Sequence, residues 1–300
     1  MRDQWIHKGV RISVDDDSAA GYEKIGPTRG VLNLLIIPLI NLLPSILGGF
    51  VKKTHRGAEI VINKATTHEA LEVLYSGGHP HLTSNWAEAI AHKLWFSTIN
   101  AKAARNRLRL VKKIIRNTAK KLVKQDVNIG LLSIASGSAR AVIEAMSRLK
   151  IPKKLRVSVI FLDKNPEAIE YSKSLAMICP KQFRLRWIVD TASNFPAHLT
   201  HKDKINIVEM VGLLDYFDDL QVVKVLSVIY NSLENGGVMI IANIDDNIER
   251  RFVTNLVNWK MIYRSTEELI DLALKSGFQP NKMRAIYEPL RIHHVLVAKK

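Results

Sequence analysis

Short apolar runs recur along residues 128–300 and alternate with segments of helical periodicity. Because parallel strands need crossover connections, this alternation predicts a parallel sheet with helices on both faces. Only a few residues around Pro289 separate the last two runs, which are expected to form an antiparallel hairpin at the sheet edge. The predicted strands are Ile129–Ile134, Val157–Leu162, Leu185–Val189, Ile205–Met210, Val238–Ile244, Met283–Tyr287 and His293–Ala298, and the clearest predicted helices are Pro166–Met177, Asp218–Leu233 and Ser265–Ser276.

Helical patterning extends upstream of this alternating region. Residues 57–125 have the pattern of helices, of which one ends at Gly77 and the next starts near the capping residue Ser84. In the second, apolar residues recur every three or four positions, which predicts an amphipathic helix with one buried stripe. Ten Lys or Arg residues and no acid lie between Lys102 and Lys124, a pattern typical of either a solvated face or a docking surface.

Residues 31–51 form the most apolar part of the chain, inside a stretch without charges. The segment is long enough to span a membrane, but Pro38 and Pro44 interrupt a continuous helix and leave backbone groups that need protein partners. Lys52 and Lys53 follow it, as on the cytoplasmic side of an anchor. A packed helical lid fits this composition best, ahead of a monotopic membrane insertion and of a true span.

The composition of the 300 residues narrows the class of protein. A hydrophobic fraction of 47% is enough for a packed core, and the single cysteine, Cys179, excludes an internal disulfide and fits a reducing compartment. The first 30 residues lack the apolar core of a cleavable signal peptide. We therefore expect a cytoplasmic protein, peripheral to the inner face of a membrane where residues 31–51 insert. The excess of 44 Lys and Arg over 28 Asp and Glu favours an anionic partner.

A turn of small residues follows the first predicted strand, in the sequence LLSIASGSAR (residues 131–140). Small residues let backbone N–H groups approach a ligand and let the next helix start close to the strand. Asp163 follows the second predicted strand, where a nucleotide-binding sheet carries a carboxylate that binds ribose hydroxyls. Asn165 can cap the following helix, which leaves Asp163 free for a ligand.

The strand order, the terminal hairpin, the turn and this acid together resemble the class I S-adenosylmethionine-dependent methyltransferases. Three later segments, VGLLDYFDDL, LENGGVMIIANI and NWKMIYRSTEEL, are similar to bacterial methyltransferases of the 3-hydroxy fatty acid methyl ester synthase type. The resemblance covers the chain from about Arg105 to Lys300. It implies a Rossmann-like, seven-stranded α/β sheet, with S-adenosyl-L-methionine as cofactor and S-adenosyl-L-homocysteine as product. We expect an N-terminal segment (1–30), an apolar and helical extension that caps the substrate (31–125) and the cofactor-binding methyltransferase domain (126–300).

The same resemblance implies which residues bind the cofactor. Ser133 stands where the family has an acid, and Ala135 stands at the first of two glycine positions in the turn. Asp163 corresponds to the ribose-binding acid, and Asp190 to the residue that accepts a hydrogen bond from the adenine amino group. The full implied set, with Gly137 at the second glycine position and Glu209 and Met210 beside the methionine portion, is Ser133, Ala135, Ser136, Gly137, Asp163, Lys164, Asp190, Thr191, Glu209 and Met210.

Methyl transfer from a sulfonium depends mainly on positioning and on the exclusion of water. A carboxylate acceptor needs no general base, whereas a hydroxyl does. Arg264 is attractive because a guanidinium pairs bidentately with a carboxylate. No metal site is expected, since His79 and His81 lie without a cysteine or carboxylate at a matching spacing. The favoured catalytic residues are Glu209, Tyr216, Tyr263, Arg264 and His293, with Arg291 and His294 as further candidates.

The expected acceptor is a small, lipid-like molecule methylated at a carboxylate or hydroxyl oxygen, because residues 31–51 can line a pocket for an acyl chain or dip into a membrane. A nucleic-acid methyltransferase is the alternative enzyme, which the scarcity of aromatic residues on the basic face disfavours. A catalytically inactive scaffold is the alternative without enzyme activity. An acidic acyl carrier protein or an anionic membrane is the expected partner of the basic helix, through Lys112, Lys113, Arg116, Lys120 and Lys124.

Overall fold

The computed structural model describes residues 4–26, 56–77 and 96–300, and within these residues nine strands form one sheet in the order β1-β2-β8-β9-β7-β6-β3-β4-β5. The strands are β1 (Gln4–His7), β2 (Val10–Val14), β3 (Ile129–Ile134), β4 (Val157–Asp163), β5 (Arg184–Val189), β6 (Ile207–Val211), β7 (Val238–Ile244), β8 (Met283–Tyr287) and β9 (His293–Lys299). The helices are α1 (Arg56–Asn63), α2 (His68–Tyr75), α3 (Ile99–Lys124), α4 (Arg140–Ser147), α5 (Pro166–Leu175), α6 (Asp219–Ser232), α7 (Arg250–Asn255) and α8 (Thr266–Lys275).

All seven strands expected from the hydrophobic pattern are present, and their ends lie within two residues of the predicted ones. Five of them, in the order β7-β6-β3-β4-β5, run parallel, and β8 and β9 form the expected antiparallel hairpin. The prediction of a Rossmann-like α/β sheet is therefore confirmed. The hairpin does not lie at the sheet edge, however, because β2 pairs in parallel with β8 and β1 is the outermost strand.

The hydrophobic pattern did not predict strands β1 and β2, because they are only four and five residues long. A polar and apolar alternation of that length does not distinguish a strand from an extended loop. Tertiary packing identifies β2 instead, since Val10 and Ile12 are fully buried in the core while Arg11 between them is exposed.

Two hydrophobic clusters lie on opposite faces of the sheet, as the alternation of side chains along each strand requires. Leu132 points to the face covered by α6 and α8, and Leu131 points to the face covered by α3 and α4. On α3 the buried residues Val111, Ile115 and Ala119 form one stripe, which confirms the predicted amphipathic helix.

Several sequence features lie outside the described residues: the apolar segment 31–51, the histidines His79 and His81, and the helix start expected near Ser84. Among the residues that are described, no helix combines the length and apolar content needed to cross a membrane.

The strand order reverses at β3, with β4 and β5 on one side and β6 and β7 on the other. Loops that leave neighbouring carboxyl ends at such a point turn to opposite faces of the sheet and leave a crevice between them. The carboxyl ends of β3, β4 and β6 therefore define the place to look for a ligand site.

Candidate functional site

A cleft with a volume of about 1000 Å³ opens at the carboxyl ends of β3, β4 and β6. The turn after β3 lines it, and so does α2 with the residues before it. The lining includes Thr66–His68, Leu71, Tyr75, Ala135–Val142, Asp163–Asn165, Thr191–Ser193, Glu209 and Val211–Leu213.

The turn after β3 is held in a conformation that its non-glycine residues rarely adopt. Ala135, Gly137 and Ala139 have φ angles of 52°, 53° and 55°, in the left-handed region. The Gly137 N–H donates to Asp163 Oδ2 at 2.7 Å, which ties the turn to the end of β4. Within the described residues, the buried Ser136 hydroxyl has no hydrogen-bond partner, and α4 begins without a side-chain cap. The first N–H groups of α4 thus have no side-chain acceptor, and the residues that carry them line the cleft.

Asp163 lines the cleft, as expected from its place after β4. Its Oδ1 accepts a hydrogen bond from the Asn165 N–H at 2.9 Å. The side chain of Asn165 caps α5 by accepting from the Glu167 N–H at 2.9 Å, which confirms the capping role predicted for it. Each Asp163 oxygen accepts one protein N–H and keeps further acceptor capacity for a ligand hydroxyl.

Ser133 and Glu209 are opposite each other in the pairing of β3 with β6. The Ser133 hydroxyl donates to Glu209 Oε2 at 2.5 Å, and both side chains are buried. Burial raises the pKa of Glu209 to about 7, against the lowering effects of the Ser133 hydrogen bond and of Arg107. Glu209 lines the cleft, whereas Met210 points to the other face of the sheet and is fully buried in the core there. The Met210 side chain therefore does not line the cleft, and its expected place beside the cofactor stays a prediction.

Asp190 does not line the cleft, and its expected contact with adenine stays a prediction. Its carboxylate accepts from the Thr191 N–H at 2.6 Å and contacts His198 Nε2 at 2.7 Å, so it holds its own loop together. The hydrogen bonds from His198 and Thr191 lower its pKa. Thr191 does line the cleft, and so does Lys164, an exposed residue.

A second, smaller cavity of about 100 Å³ adjoins the cleft. The two share lining residues, among them Leu71, Arg107, Gly212 and Tyr216. Most of its wall is apolar, with Val61, Leu74, Phe252, Val253, Val257, Trp259 and Met261. A cleft rich in backbone polar groups thus adjoins an apolar cavity, and Arg107 lies at the junction.

Arg107 is buried, with 4% of its surface exposed. Among the described residues its Nε has no partner, and Nη2 reaches only the Tyr75 hydroxyl, at 3.5 Å. Sequence reasoning counted Arg107 with the basic face of the helix and missed this site. The signal was its position on the apolar stripe, four residues after Ala103 and four before Val111, which are both buried.

Asp215 is a second functional candidate that sequence reasoning missed. It lies in the turn after β6 and is 3% exposed, and it lines the small cavity. It accepts a hydrogen bond from the Ile244 N–H at 3.3 Å. Burial raises its pKa to about 6, although Arg107 acts in the opposite direction. Nothing in the pattern VGLLDYFDDL distinguished Asp215 from the acids that follow it.

Tyr216 and His293, both expected catalytic residues, line the small cavity. The Tyr216 hydroxyl accepts a hydrogen bond from Trp259 Nε1 at 2.6 Å, which connects the turn after β6 to the segment after α7. His293 is buried, and burial keeps its pKa well below 6.5. Its Nδ1 has no hydrogen-bond partner within the described part of the chain. His294 points to the other face of β9 and contacts the Thr266 hydroxyl at 2.6 Å.

Arg264 forms hydrogen bonds to other residues of the protein instead of facing an acceptor. Its Nε donates to Asp219 Oδ1 at 2.9 Å, Nη1 to the Leu214 carbonyl at 2.9 Å, and Nη2 to the Phe217 carbonyl at 2.5 Å. With all three nitrogens engaged, the expected bidentate contact with an acceptor carboxylate has no free donor edge. Tyr263 lines neither cavity and packs under the Arg250 guanidinium, 4.6 Å from the ring centre. Arg291 lies in the turn between β8 and β9.

A cluster of charged and polar side chains connects helix α2, which lines the cleft, to α4 and α5. Arg140, the first residue of α4, donates from Nε to the two carboxylate oxygens of Glu72 at 2.9 and 3.0 Å, and its Nη2 also contacts Glu72. The Tyr171 hydroxyl of α5 donates to the same carboxylate at 2.9 Å. One acid of α2 is thereby bound to α4, which follows the turn after β3, and to α5, which follows β4.

Some side chains on the basic face of α3 form ion pairs with acids of the protein itself. Lys112 pairs with Glu144 at 2.6 Å, and Lys113 pairs with Asp15 at 2.7 Å. Lys120 and Lys124 are exposed near the end of the helix, and Arg116 is half-buried. The docking surface for an acidic carrier protein or an anionic membrane stays a prediction, which now depends on this last turn. In the described residues no cluster of three or more His, Cys, Asp or Glu side chains is arranged to hold a metal ion.

The fold is similar to that of solved structures. The crystal structure of a "possible exported protein" from Bordetella parapertussis matches with a TM-score of 0.62 and 14% identity, over 78% of this chain and 79% of that one. Magnesium protoporphyrin IX methyltransferase from Synechocystis PCC 6803, with bound S-adenosylhomocysteine, matches with a TM-score of 0.52 and 9% identity, over 81% of this chain and 99% of that one. At these identities the likeness concerns the fold.

No curated protein sequence matches the chain. A family model described as "Putative methyltransferase" matches residues 70–300. This range is more than half of the chain and contains the turn after β3, both missed candidates and the ends of β4 and β6. The chain therefore belongs to this methyltransferase family.

Proposed function

We propose that this protein transfers a methyl group from S-adenosylmethionine to an oxygen of a small, lipid-like acceptor. The observation that carries the proposal is the junction of the two cavities at Arg107: one is lined by the turn after β3, and the other is mainly apolar. The pair provides separate places for a polar cofactor and an amphipathic acceptor.

The residues of the cleft fit this cofactor. The unpaired Ser136 hydroxyl and the uncapped start of α4 offer donors for its carboxylate, and Asp163 keeps acceptor capacity for its ribose hydroxyls. Glu209 supplies the acid that is missing at Ser133, from the neighbouring strand, and would bind the methionine ammonium group. When bound, the cofactor supplies a methyl group already activated on a sulfonium, so the protein needs mainly to position the acceptor and exclude water.

The small cavity supports a lipid-like acceptor. Its walls suit a hydrocarbon portion, and the buried polar groups Arg107, Asp215 and His293 suit one polar head. The resemblance to the 3-hydroxy fatty acid methyl ester synthase type supports the same class of acceptor. A carboxylate or hydroxyl oxygen at that head would lie at the junction with the cofactor cleft.

Calorimetric titration of the purified protein with S-adenosylmethionine and S-adenosylhomocysteine tests the cofactor, with NADH as a control. We expect micromolar binding of the first two alone. Asp163→Ala should weaken it by about 1.5 to 3 kcal/mol, because it removes charge-assisted hydrogen bonds to ribose. Absence of binding to either compound would contradict the proposed function and favour the inactive scaffold.

A further inference from the structure

The small cavity contains more ionisable groups than methyl transfer to a carboxylate needs. Arg107, Asp215 and His293 all line it, and each is at most 5% exposed. Such groups are kept out of an apolar wall unless they are paired, because burying them is unfavourable. Yet Arg107 Nε and His293 Nδ1 lack partners in the described part of the chain, and the Asp215 carboxylate accepts only the Ile244 N–H there. The space between them suits a polar group of a ligand.

The charge balance decides which polar group that is. The buried charged groups that line the two cavities are two carboxylates, Glu209 and Asp215, and one guanidinium, Arg107. Arg264 also acts on Asp215, but it is paired with Asp219, and His293 is kept neutral by burial. S-adenosylmethionine has two cationic groups and one carboxylate, so it adds one positive charge. The loaded site is then neutral, and a neutral acceptor leaves it neutral. A carboxylate acceptor would add an unbalanced negative charge beside Asp215 in a site of low polarity.

We propose that the methyl acceptor is a neutral hydroxyl group and that Asp215 is its general base, an assignment that rests on the proposed function. The acceptor oxygen forms a bond to the methyl carbon as the bond between sulfur and methyl breaks, and its proton passes to an Asp215 oxygen. The products are a methyl ether, S-adenosylhomocysteine and protonated Asp215. Arg107 Nε–H donates to the reacting oxygen, where negative charge develops.

The other candidate bases in the site are less suited. Glu209 lines the cofactor cleft and is bonded to Ser133, and it does not line the small cavity. The Tyr216 hydroxyl already accepts a hydrogen bond from Trp259. His293 is buried next to the cation Arg107, which opposes the charge that a base acquires. Arg107 opposes protonation of Asp215 as well, but burial favours it and raises the pKa of Asp215 to about 6, so Asp215 binds a proton more readily than His293 does.

The test compares two probes of similar shape, 4-butylphenol and 4-butylbenzoate, on protein saturated with sinefungin, which carries an amine in place of the sulfonium. We expect the unmodified protein to bind the phenol about ten-fold more tightly than the benzoate, by calorimetry. In Asp215→Asn the two affinities should move in opposite directions, with weaker phenol and tighter benzoate binding. Asp246→Asn, at an exposed acid of the neighbouring loop, should change neither.

The outcomes separate this assignment from the proposed function. A preference of the unmodified protein for benzoate, binding of neither probe, or equal shifts of both probes in Asp215→Asn overturns the assignment of Asp215. The comparison of probes on the unmodified protein does not depend on the stability of the variant. Failure of sinefungin to bind contradicts the cofactor proposal itself. Formation of the methyl ether of 4-butylphenol with S-adenosylmethionine, and its loss in Asp215→Asn, would support both.

Discussion

Ser133 donates a 2.5 Å hydrogen bond to Glu209, its register partner on the neighbouring strand. The family pattern has an acid at the position of Ser133. In this structure the acid, Glu209, lies on the neighbouring strand and accepts a hydrogen bond from the serine. The carboxylate of Glu209 still lines the cleft, because β3 and β6 are adjacent and parallel. The site thus retains an acid although the turn has lost one.

The affinity for S-adenosylhomocysteine should rise between about pH 6 and pH 8. In the proposed function the ligand ammonium pairs with ionised Glu209, whose pKa burial raises to about 7, while Arg107 stays charged throughout. Glu209→Gln should lose about 2 kcal/mol of binding at pH 8 and show a flatter pH profile. Calorimetry across this range measures both effects, with Glu170→Gln on the surface as a matched control. An unchanged slope in Glu209→Gln would remove Glu209 from the cofactor site.

The same residue should make the unliganded protein less stable as the pH rises. The folded-state pKa of Glu209, about 7, exceeds the ordinary value of 4.5, so the folded state binds the extra proton between these values. Its contribution to the free energy of unfolding is complete below about pH 4.5 and is lost as the pH rises through 7. Glu209→Gln lacks this loss and should gain roughly 3 kcal/mol relative to the unmodified protein between pH 4.5 and pH 8. Urea unfolding at several pH values checks this difference, to which Asp215 contributes equally in both proteins. A difference that does not vary with pH would contradict it.

Ala135→Gly should stabilise the protein by roughly 0.5 to 1 kcal/mol. Ala135 has a φ of 52°, which is strained for an alanine and open to a glycine, and the relief exceeds the extra backbone entropy that a glycine loses. The matched control is Ala141→Gly in α4, where helical backbone makes the same substitution destabilising by about 1 kcal/mol. Thermal unfolding of both variants measures the contrast. Equal destabilisation by the two substitutions would exclude strain at Ala135.

Arg140→Ala should loosen α2 over the cleft. The substitution removes the bidentate contact with Glu72, which lies in a partly buried position where such pairs contribute about 1 to 3 kcal/mol. Hydrogen exchange of the α2 amides should accelerate, while exchange in α8, on the other face of the sheet, should stay the same. Glu72→Gln should give a similar effect, and the double variant should add little to either single one. Full additivity of the two substitutions would show that the pair does not fasten the helix.

The sequence predicted the central strands well because buried parallel strands read as continuous apolar runs, independent of their neighbours. It predicted the position of Asp163 for a similar reason, since the end of β4 follows directly from the pattern and lies at the cleft. It failed where a side chain's role depends on a distant segment. Arg264 is a residue type that binds anions, but its donors are already hydrogen-bonded to three acceptors in the segment 214–219. Arg107 lies in a basic segment that is typical of a solvated face, but its position on the buried stripe of α3 directs it into the site.

The pairing of β2 with β8 orders events during synthesis. Arg11 and Arg284 are register partners although one emerges from the ribosome about 270 residues after the other. Strand β2 must therefore wait until almost the whole domain has been made, and closing so long a loop slows the formation of its contacts. The parallel strands β3 to β7 have all been synthesised before that moment. The part of the sheet that is translated first is thus the part that is completed last.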